Sequence, residues 1–226
     1  MRLVLPRLYV ILDAALLKQS EKACAESLAA AGVRLLQFRD KRASSRELLE
    51  KSRGLAQSLG ERGVTFFVND RADVAHLAGA SGVHVGQEDL SVEQARSVIG
   101  EAKLVGVSTH NLEQFARAAK TTADYIAVGP IFATQTKENP DPVVGLELLR
   151  QVRHLTDRPI VAIGGITLER AAEVIAAGAD SVAVVSDILQ APEPAARAAQ
   201  YLQLLENVPP AITSRIGPED SDVLRS

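Results

Sequence analysis

The stretch IVAIGGITLERAAEVIAAGADSVAVVS (residues 160–186) contains one complete folding unit. Ile160–Ile163 and Val182–Val185 are short runs dominated by β-branched residues, and both are continuously apolar rather than alternating. That pattern suits parallel strands covered on both faces. Between them Thr167 opens a segment in which Ala171, Val174 and Ile175 recur at helical spacing, and Gly178 closes it. The unit reads strand, helix, strand.

The same alternation extends outward through the chain. Comparable runs lie at Leu8–Leu12, Val33–Phe38, Val64–Val68, Val83–Val85, Leu104–Val107 and Tyr125–Val128, which with the first two makes eight. Helical segments separate them. Ser44 and Glu47 form a capping-box pattern ahead of Leu48, Leu49, Leu55 and Leu59, with Gly60 ending the turn. Leu112, Phe115, Ala116 and Ala119 make an apolar face after Asn111, and Leu146, Leu149, Val152 and Leu155 make another after Gly145. Eight strand–helix units within about 206 residues predict an α/β fold, a single (β/α)8 TIM barrel over residues 1–206. No GxGxxG opens the first helix, which argues against a doubly wound dinucleotide fold. Residues 207–226 lose the periodicity, carry Pro209, Pro210, Gly217 and Pro218, and read as a flexible C-terminal extension.

Composition narrows the class of function. The 226 residues are 46% apolar and 23% charged, the balance of a soluble globular protein, and the net charge of -3 supplies no basic field for nucleic acid or an anionic membrane. Cys24 is the only cysteine, so one chain holds neither a disulfide nor a cysteine metal cage, and its helical setting suits a small core residue. Pro6, Arg7 and Asp13 interrupt the apolar N-terminus, which reads as a first strand rather than a signal peptide, and no run is long enough to span a membrane. A cytoplasmic location is the default, and a homo-oligomer is left open.

A barrel of this kind builds its site where the strands end, at their C-terminal mouth. The polar residues at or just after the ends of the apolar runs are Gln37, Arg39, Asp40 and Lys41, then Asn69 and Asp70, then Gln87, Glu88 and Asp89, then Ser108, Thr109 and His110. Thr134, Gln135, Thr136 and Lys137 follow the sixth run. Gly164 and Gly165 follow the seventh, and Val185 and Ser186 close the eighth, where barrels often bind phosphate. Asp70 and Asp89 follow adjacent strands and could share Mg²⁺, which takes one or two carboxylates and completes its shell with water and phosphate, or could serve as solvated or capping residues. Asp40 and Glu88 are weaker candidates. Arg39, Lys41 and Lys137 converge on the same mouth and suit a departing diphosphate. The residues alone therefore point to metal-assisted phosphate or diphosphate chemistry and leave the organic substrate open. His110 is a candidate for proton transfer or for a hydrogen-bonded loop residue, His76, His84 and His154 lack a common ligand spacing, and Ser108 has no recognisable base and carboxylate.

The segments QFRDK (37–41), VNDRADVA (68–75), GVHVGQEDL (82–90), GVSTHN (106–111), GPIFATQTK (129–137) and AIGGI (162–166) resemble the thiamine phosphate synthase family, in order, from about Leu8 to about Ala191. The resemblance implies that diphosphate leaves an aminopyrimidine methyl diphosphate and that a thiazole phosphate nitrogen takes its place through a pyrimidine-stabilised cation. It implies that Gln37, Arg39, Lys41, Asn69, Ser108 and Lys137 hold the pyrimidine diphosphate, with Arg39, Lys41, Ser108 and Lys137 acting on the reacting groups. It further implies Mg²⁺ on Asp70 and Asp89, and thiazole phosphate on Thr134, Gln135, Thr136, Gly165, Val185 and Ser186. Ala133 departs from the proline common in the family at that position. Three alternatives stand beside this reading: a thiazole tautomerase using His110, a non-catalytic sensor of thiamine precursors, and a phosphosugar isomerase, which would leave the paired aspartates unexplained.

Overall fold

The computed structural model describes residues 3–134 and 141–209. Eight strands form a closed parallel barrel in sequence order: β1 (Leu8–Asp13), β2 (Leu35–Arg39), β3 (Thr65–Asn69), β4 (Gly82–Val85), β5 (Leu104–Thr109), β6 (Tyr125–Val128), β7 (Ile160–Ile163) and β8 (Ser181–Val184). Closure comes from β8 returning to β1, with Leu8 opposite Val182.

Alternation along the strands explains the continuous hydrophobicity. Val10, Leu12, Leu36, Phe38, Val182 and Val184 face outward and pack under the helices. Tyr9, Ile11, Leu35, Phe67, Tyr125 and Val161 fill the interior as a separate cluster. Glycines make room for its rings: a Cβ on Gly106 would sit 2.1 Å from Tyr125 Cζ, and one on Gly82 2.5 Å from Phe67 Cε1. Phe67 and Tyr125 meet edge to face with centroids 5.5 Å apart, a favoured aromatic geometry.

The covering helices are α1 (Glu21–Ala30), α2 (Ser45–Gly60), α3 (Ala72–Ala78), α4 (Val92–Ile99), α5 (Leu112–Ala118), α6 (Gly145–Arg153), α7 (Leu168–Ala176), α8 (Ser186–Leu189) and α9 (Pro194–Glu206). The Ser44–Glu47 capping box forms, and Ser91 and Gln94 form a second one before α4. Cys24 lies buried in the core.

Several boundaries differ from the sequence reading. Helix α2 runs through Gly60, and the left-handed residue beyond it is Gly63 at φ 67°. Leu155 falls beyond α6 and is 43% exposed, because the helix stops at Arg153. Leu112 begins α5 at the surface, so Phe115 and Ala118 carry its buried face. Strands β2, β3 and β5 extend through polar residues, and β8 ends before Val185, which turns the chain into α8.

At the N-terminal end of the strands, two arginines repeat one arrangement. Arg96 of α4 donates to Asp124 Oδ2 at 2.6 Å and to Thr122 O at 3.0 Å, while the same carboxylate oxygen accepts from Val105 N–H at 2.7 Å. Arg153 of α6 donates to Asp180 Oδ2 at 2.6 Å and to Arg158 O at 2.9 Å, and that oxygen accepts from Ile160 N–H at 2.8 Å. Each pair ties a helix to the start of a strand, leaving the opposite end of the barrel for function.

Candidate active site

The polar residues at the C-terminal mouth fall into two groups on opposite arcs. Strands β2 to β5 supply the first. Gln37 and Arg39 lie inside β2, Asn69 ends β3, and Ser108 lies inside β5. They are strand residues, not loop residues following strands, because the top layer of this barrel is a hydrogen-bonded polar layer. Arg39 is held by an ion pair with Asp13, a 3% exposed residue at the end of β1 whose other oxygen accepts from Ala15 N–H at 3.0 Å. Sequence reasoning did not single out Asp13, since one acid after an apolar run looks like the start of a loop.

A chain of hydrogen bonds crosses the barrel beneath this mouth. Gln37 Nε2 donates to Tyr9 Oη at 2.8 Å, Tyr9 and Tyr125 hydroxyls meet at 3.0 Å, Tyr125 Oη lies 2.8 Å from His84 Nδ1, and His84 Nε2 lies 2.8 Å from Ser108 Oγ. Burial raises the pKa of both phenols, so each keeps its single proton. Tyr9 accepts from Gln37, and the arrangement that leaves every proton of the chain a partner runs from Tyr9 to Tyr125, from Tyr125 to His84 Nδ1 and from His84 Nε2 to Ser108. That arrangement leaves the Ser108 hydroxyl as a donor and Gln37 Oε1 as an acceptor.

The acidic candidates separate by geometry. Asp70 sits at φ 61°, a left-handed conformation that aspartate tolerates better than most residues. Its N–H donates to His84 O at 2.7 Å, and its carboxylate pairs with Lys41. Asp89 Oδ2 accepts from Gly86 N–H at 2.7 Å. Burial raises the Asp89 pKa, and the Asp70 carboxylate, within hydrogen-bonding reach, raises it further. Two carboxylates this close are the hard-oxygen donor set that suits a divalent cation. Asp40 is turned aside, bonding Lys51 at 2.9 Å and the N–H groups of Arg42 and Ala43. Glu88 is exposed.

The second group lies over β6 to β8, around a cavity of about 600 Å³ lined in part by Thr134, Gly165, Thr167, Arg170, Ser186 and Gln190. Gly165 takes φ 62°, and a Cβ there would lie 2.4 Å from Ala133 O. Only glycine brings the two loop backbones this close. Gln135, Thr136 and Lys137 lie outside the described residues. His110 Nδ1 contacts Gly129 O at 2.6 Å while Nε2 lies 3.5 Å from Asp141 Oδ2, so this histidine ties the ends of β5 and β6 together.

Among the described residues no cluster of three or more histidine, cysteine or acidic side chains forms a metal cage, which leaves the Asp70–Asp89 pair as the cation candidate. No helix among them is long and apolar enough to cross a membrane.

Known proteins give the site a context. Residues 8–188 match the sequence model of a family described as thiamine monophosphate synthase. Thiamine-phosphate synthase of Koribacter versatilis is 53% identical over 91% of this chain and 98% of its own, and that of Chloroflexus aurantiacus is 46% identical over 88% and 92%. The solved thiamine phosphate pyrophosphorylase of Pyrococcus furiosus superposes with a TM-score of 0.80 at 36% identity, covering 89% of this chain and 96% of its own. Matching the family's sequence model over residues 8–188 on a closed eight-stranded barrel, this protein belongs to the thiamine monophosphate synthase family.

Proposed function

We propose that this transferase of thiamine biosynthesis joins an aminopyrimidine methyl diphosphate to a thiazole phosphate, releasing diphosphate. The observation that supports the reading is the division of the polar residues at one barrel mouth into two groups, the Arg39–Lys41–Asp70–Asp89 arc and the Gly165–Ser186 cavity. Two phosphorylated substrates need two such sites.

Gln37 and Ser108 read the pyrimidine: Gln37 Oε1 accepts from the exocyclic amino group and the Ser108 hydroxyl donates to a ring nitrogen, with their polarity set by the Tyr9–Tyr125–His84 chain. Arg39, Lys41 and Asn69 hold the diphosphate, with Lys137 contributing a further cation. Mg²⁺ fits Asp70 and Asp89, and when bound it supplies charge neutralisation to the leaving diphosphate. Arg39, fixed by Asp13, keeps its guanidinium directed at the same oxygens as negative charge accumulates on them. Thr134, Gln135, Thr136, Gly165, Val185 and Ser186 hold the thiazole phosphate so that its ring nitrogen faces the exocyclic carbon. That carbon loses diphosphate and bonds the nitrogen, with the aminopyrimidine spreading the intervening positive charge. Positioning and electrostatics suffice, and no side-chain nucleophile is required. The reaction takes place in the cytoplasm.

The test is diphosphate release by the purified protein with Mg²⁺ and both substrates, each omitted in turn. Thiamine phosphate that forms only when all three are present supports the reading. Tight binding of thiazole phosphate by a folded protein that forms no product would sink it.

A further inference from the structure

The loops after β6 and β7 run side by side at the mouth. Ile131 N–H donates to Ile163 O at 2.9 Å and Phe132 N–H to Gly164 O at 3.0 Å. Gly164 and Gly165 adopt φ 100° and 62°, and a side chain on either would strike the neighbouring loop. One side chain from a third element bridges this contact. Arg170, in the first turn of α7, lies over the Phe132 ring with Cζ 4.6 Å from its centroid, and its Nη1 donates to Gly165 O at 3.3 Å. Arg170 also lines the cavity that contains Thr134, Gly165 and Ser186.

We propose that Arg170 is a positioning residue that sets affinity for the thiazole phosphate by stapling these two loops together. The inference rests on the reading above, in which Thr134, Gly165 and Ser186 receive that substrate. Thr134 comes directly after Ala133, whose carbonyl packs at the Gly165 backbone. Any slip of one loop along the other therefore changes the spacing of the groups that receive the phosphate. A guanidinium suits the task because one flat group stacks through its face and hydrogen-bonds through its edge. An ammonium does only the second. Arg39, Lys41, Asp70 and Asp89 engage other partners on the opposite arc, so the effect is confined to one substrate.

A residue acting only through its charge would behave differently. Arg170→Lys keeps the charge and loses the stacked plane, whereas Phe132→Leu keeps the arginine and removes the ring. The experiment is steady-state coupling kinetics on the full chain with each substrate varied while the other saturates. Expected is a rise in KM for thiazole phosphate of about fivefold in Arg170→Ala, Arg170→Lys and Phe132→Leu alike. KM for the pyrimidine diphosphate and kcat stay close to the parent values. The Arg170→Ala, Phe132→Leu double variant is no worse than Arg170→Ala alone, because the alanine has already removed the contact with the ring. Parent-like KM in Arg170→Lys, or an unchanged KM in Arg170→Ala, overturns the proposal. Ser186→Ala separates the two levels of inference. If it raises KM for thiazole phosphate while Arg170→Ala does not, only the staple fails. If it leaves that KM unchanged, the placement of the thiazole phosphate fails as well.

Discussion

Burial, and the neighbouring Asp70 carboxylate after it, raise the pKa of the Asp89 carboxyl from its ordinary value. Raising a folded-state pKa adds stability below the unfolded pKa and removes it as pH rises through the folded one, so at neutral pH ionised Asp89 costs stability. Asp89→Asn lifts that cost while its amide oxygen can still accept from Gly86 N–H. In buffer without divalent cations at neutral pH, the variant should melt slightly higher than the parent. The gain should vanish below the ordinary aspartate range. Its Mg²⁺-dependent turnover should fall by at least about tenfold. A lower melting temperature at neutral pH, or unaltered magnesium dependence, contradicts the assignment. A second residue-scale test concerns Tyr125. Tyr125→Phe cuts the chain between Tyr9 and His84 and leaves both buried groups short of a partner, a loss of about 1–3 kcal/mol in denaturant unfolding. Weaker binding of the pyrimidine diphosphate should accompany it, and unchanged KM for that substrate would mean that the buried chain does not set the polarity of Gln37 and Ser108. Tyr9 and Tyr125 read from the sequence only as members of apolar runs, and His84 as a histidine without ligand spacing. The reason is distance along the chain: Tyr9 and Tyr125 are 116 residues apart, so no local pattern announces their contact. Asp70, Asp89, Gly165 and Ser186 were legible because each closely trails a run of strand residues.

Among the elements, the eight strands were legible because a strand buried on both faces leaves a continuous apolar run. Their ends were not, because Gln37, Arg39 and Ser108 stay in the ladder while bonding one another's neighbours. Helix charges misled in the other direction. Arg96 and Arg153 look solvated on an amphipathic helix, yet both are buried against an aspartate. A signal was present in the repeated segments ADYIAV (123–128) and ADSVAV (179–184), where each aspartate immediately precedes the strand residues. Those aspartates bond both the arginine and an amide at the start of the adjacent strand, Val105 in β5 and Ile160 in β7. Removing the aspartate strands the buried Arg153 charge, and solvent screening at Asp180, 35% exposed, limits the loss to about 1–2 kcal/mol. Asp180→Ala should therefore lower the melting temperature by roughly 2–8 °C, with KM for both substrates unchanged at low temperature because the clamp lies at the far end of the barrel. A kinetic defect at low temperature would instead link this end to the mouth.

For the whole molecule, closure joins the two ends of the chain. Strand β1 pairs with β8, and Arg7, just ahead of β1, donates to Leu205 O at 2.7 Å and to Val208 O. Helix α9 packs on α1, α7 and α8 and buries Ala198, Tyr201 and Leu205. The contacts of Arg7 therefore reach Val208, two residues past Glu206, where the periodicity is lost. Periodicity is blind to this anchor, because a backbone carbonyl that accepts from an arginine leaves no mark on residue type. Two truncations distinguish the anchor from the residues beyond Pro209. Ending the chain after Pro209 keeps both carbonyls that accept from Arg7 among the described residues, and melting temperature and coupling kinetics should match the full chain. Ending it after Gln203 removes the buried Leu205 side chain and both carbonyls. Lost burial of about 2–3 kcal/mol and lost charged hydrogen bonds of about 1.5–3 kcal/mol should lower the melting temperature by roughly 10 °C. Arg7→Met in the full chain provides the internal check, since it removes the donor and keeps Leu205. It should reproduce part of the loss, and a variant as stable as the parent would show that α9 is held by its apolar face alone.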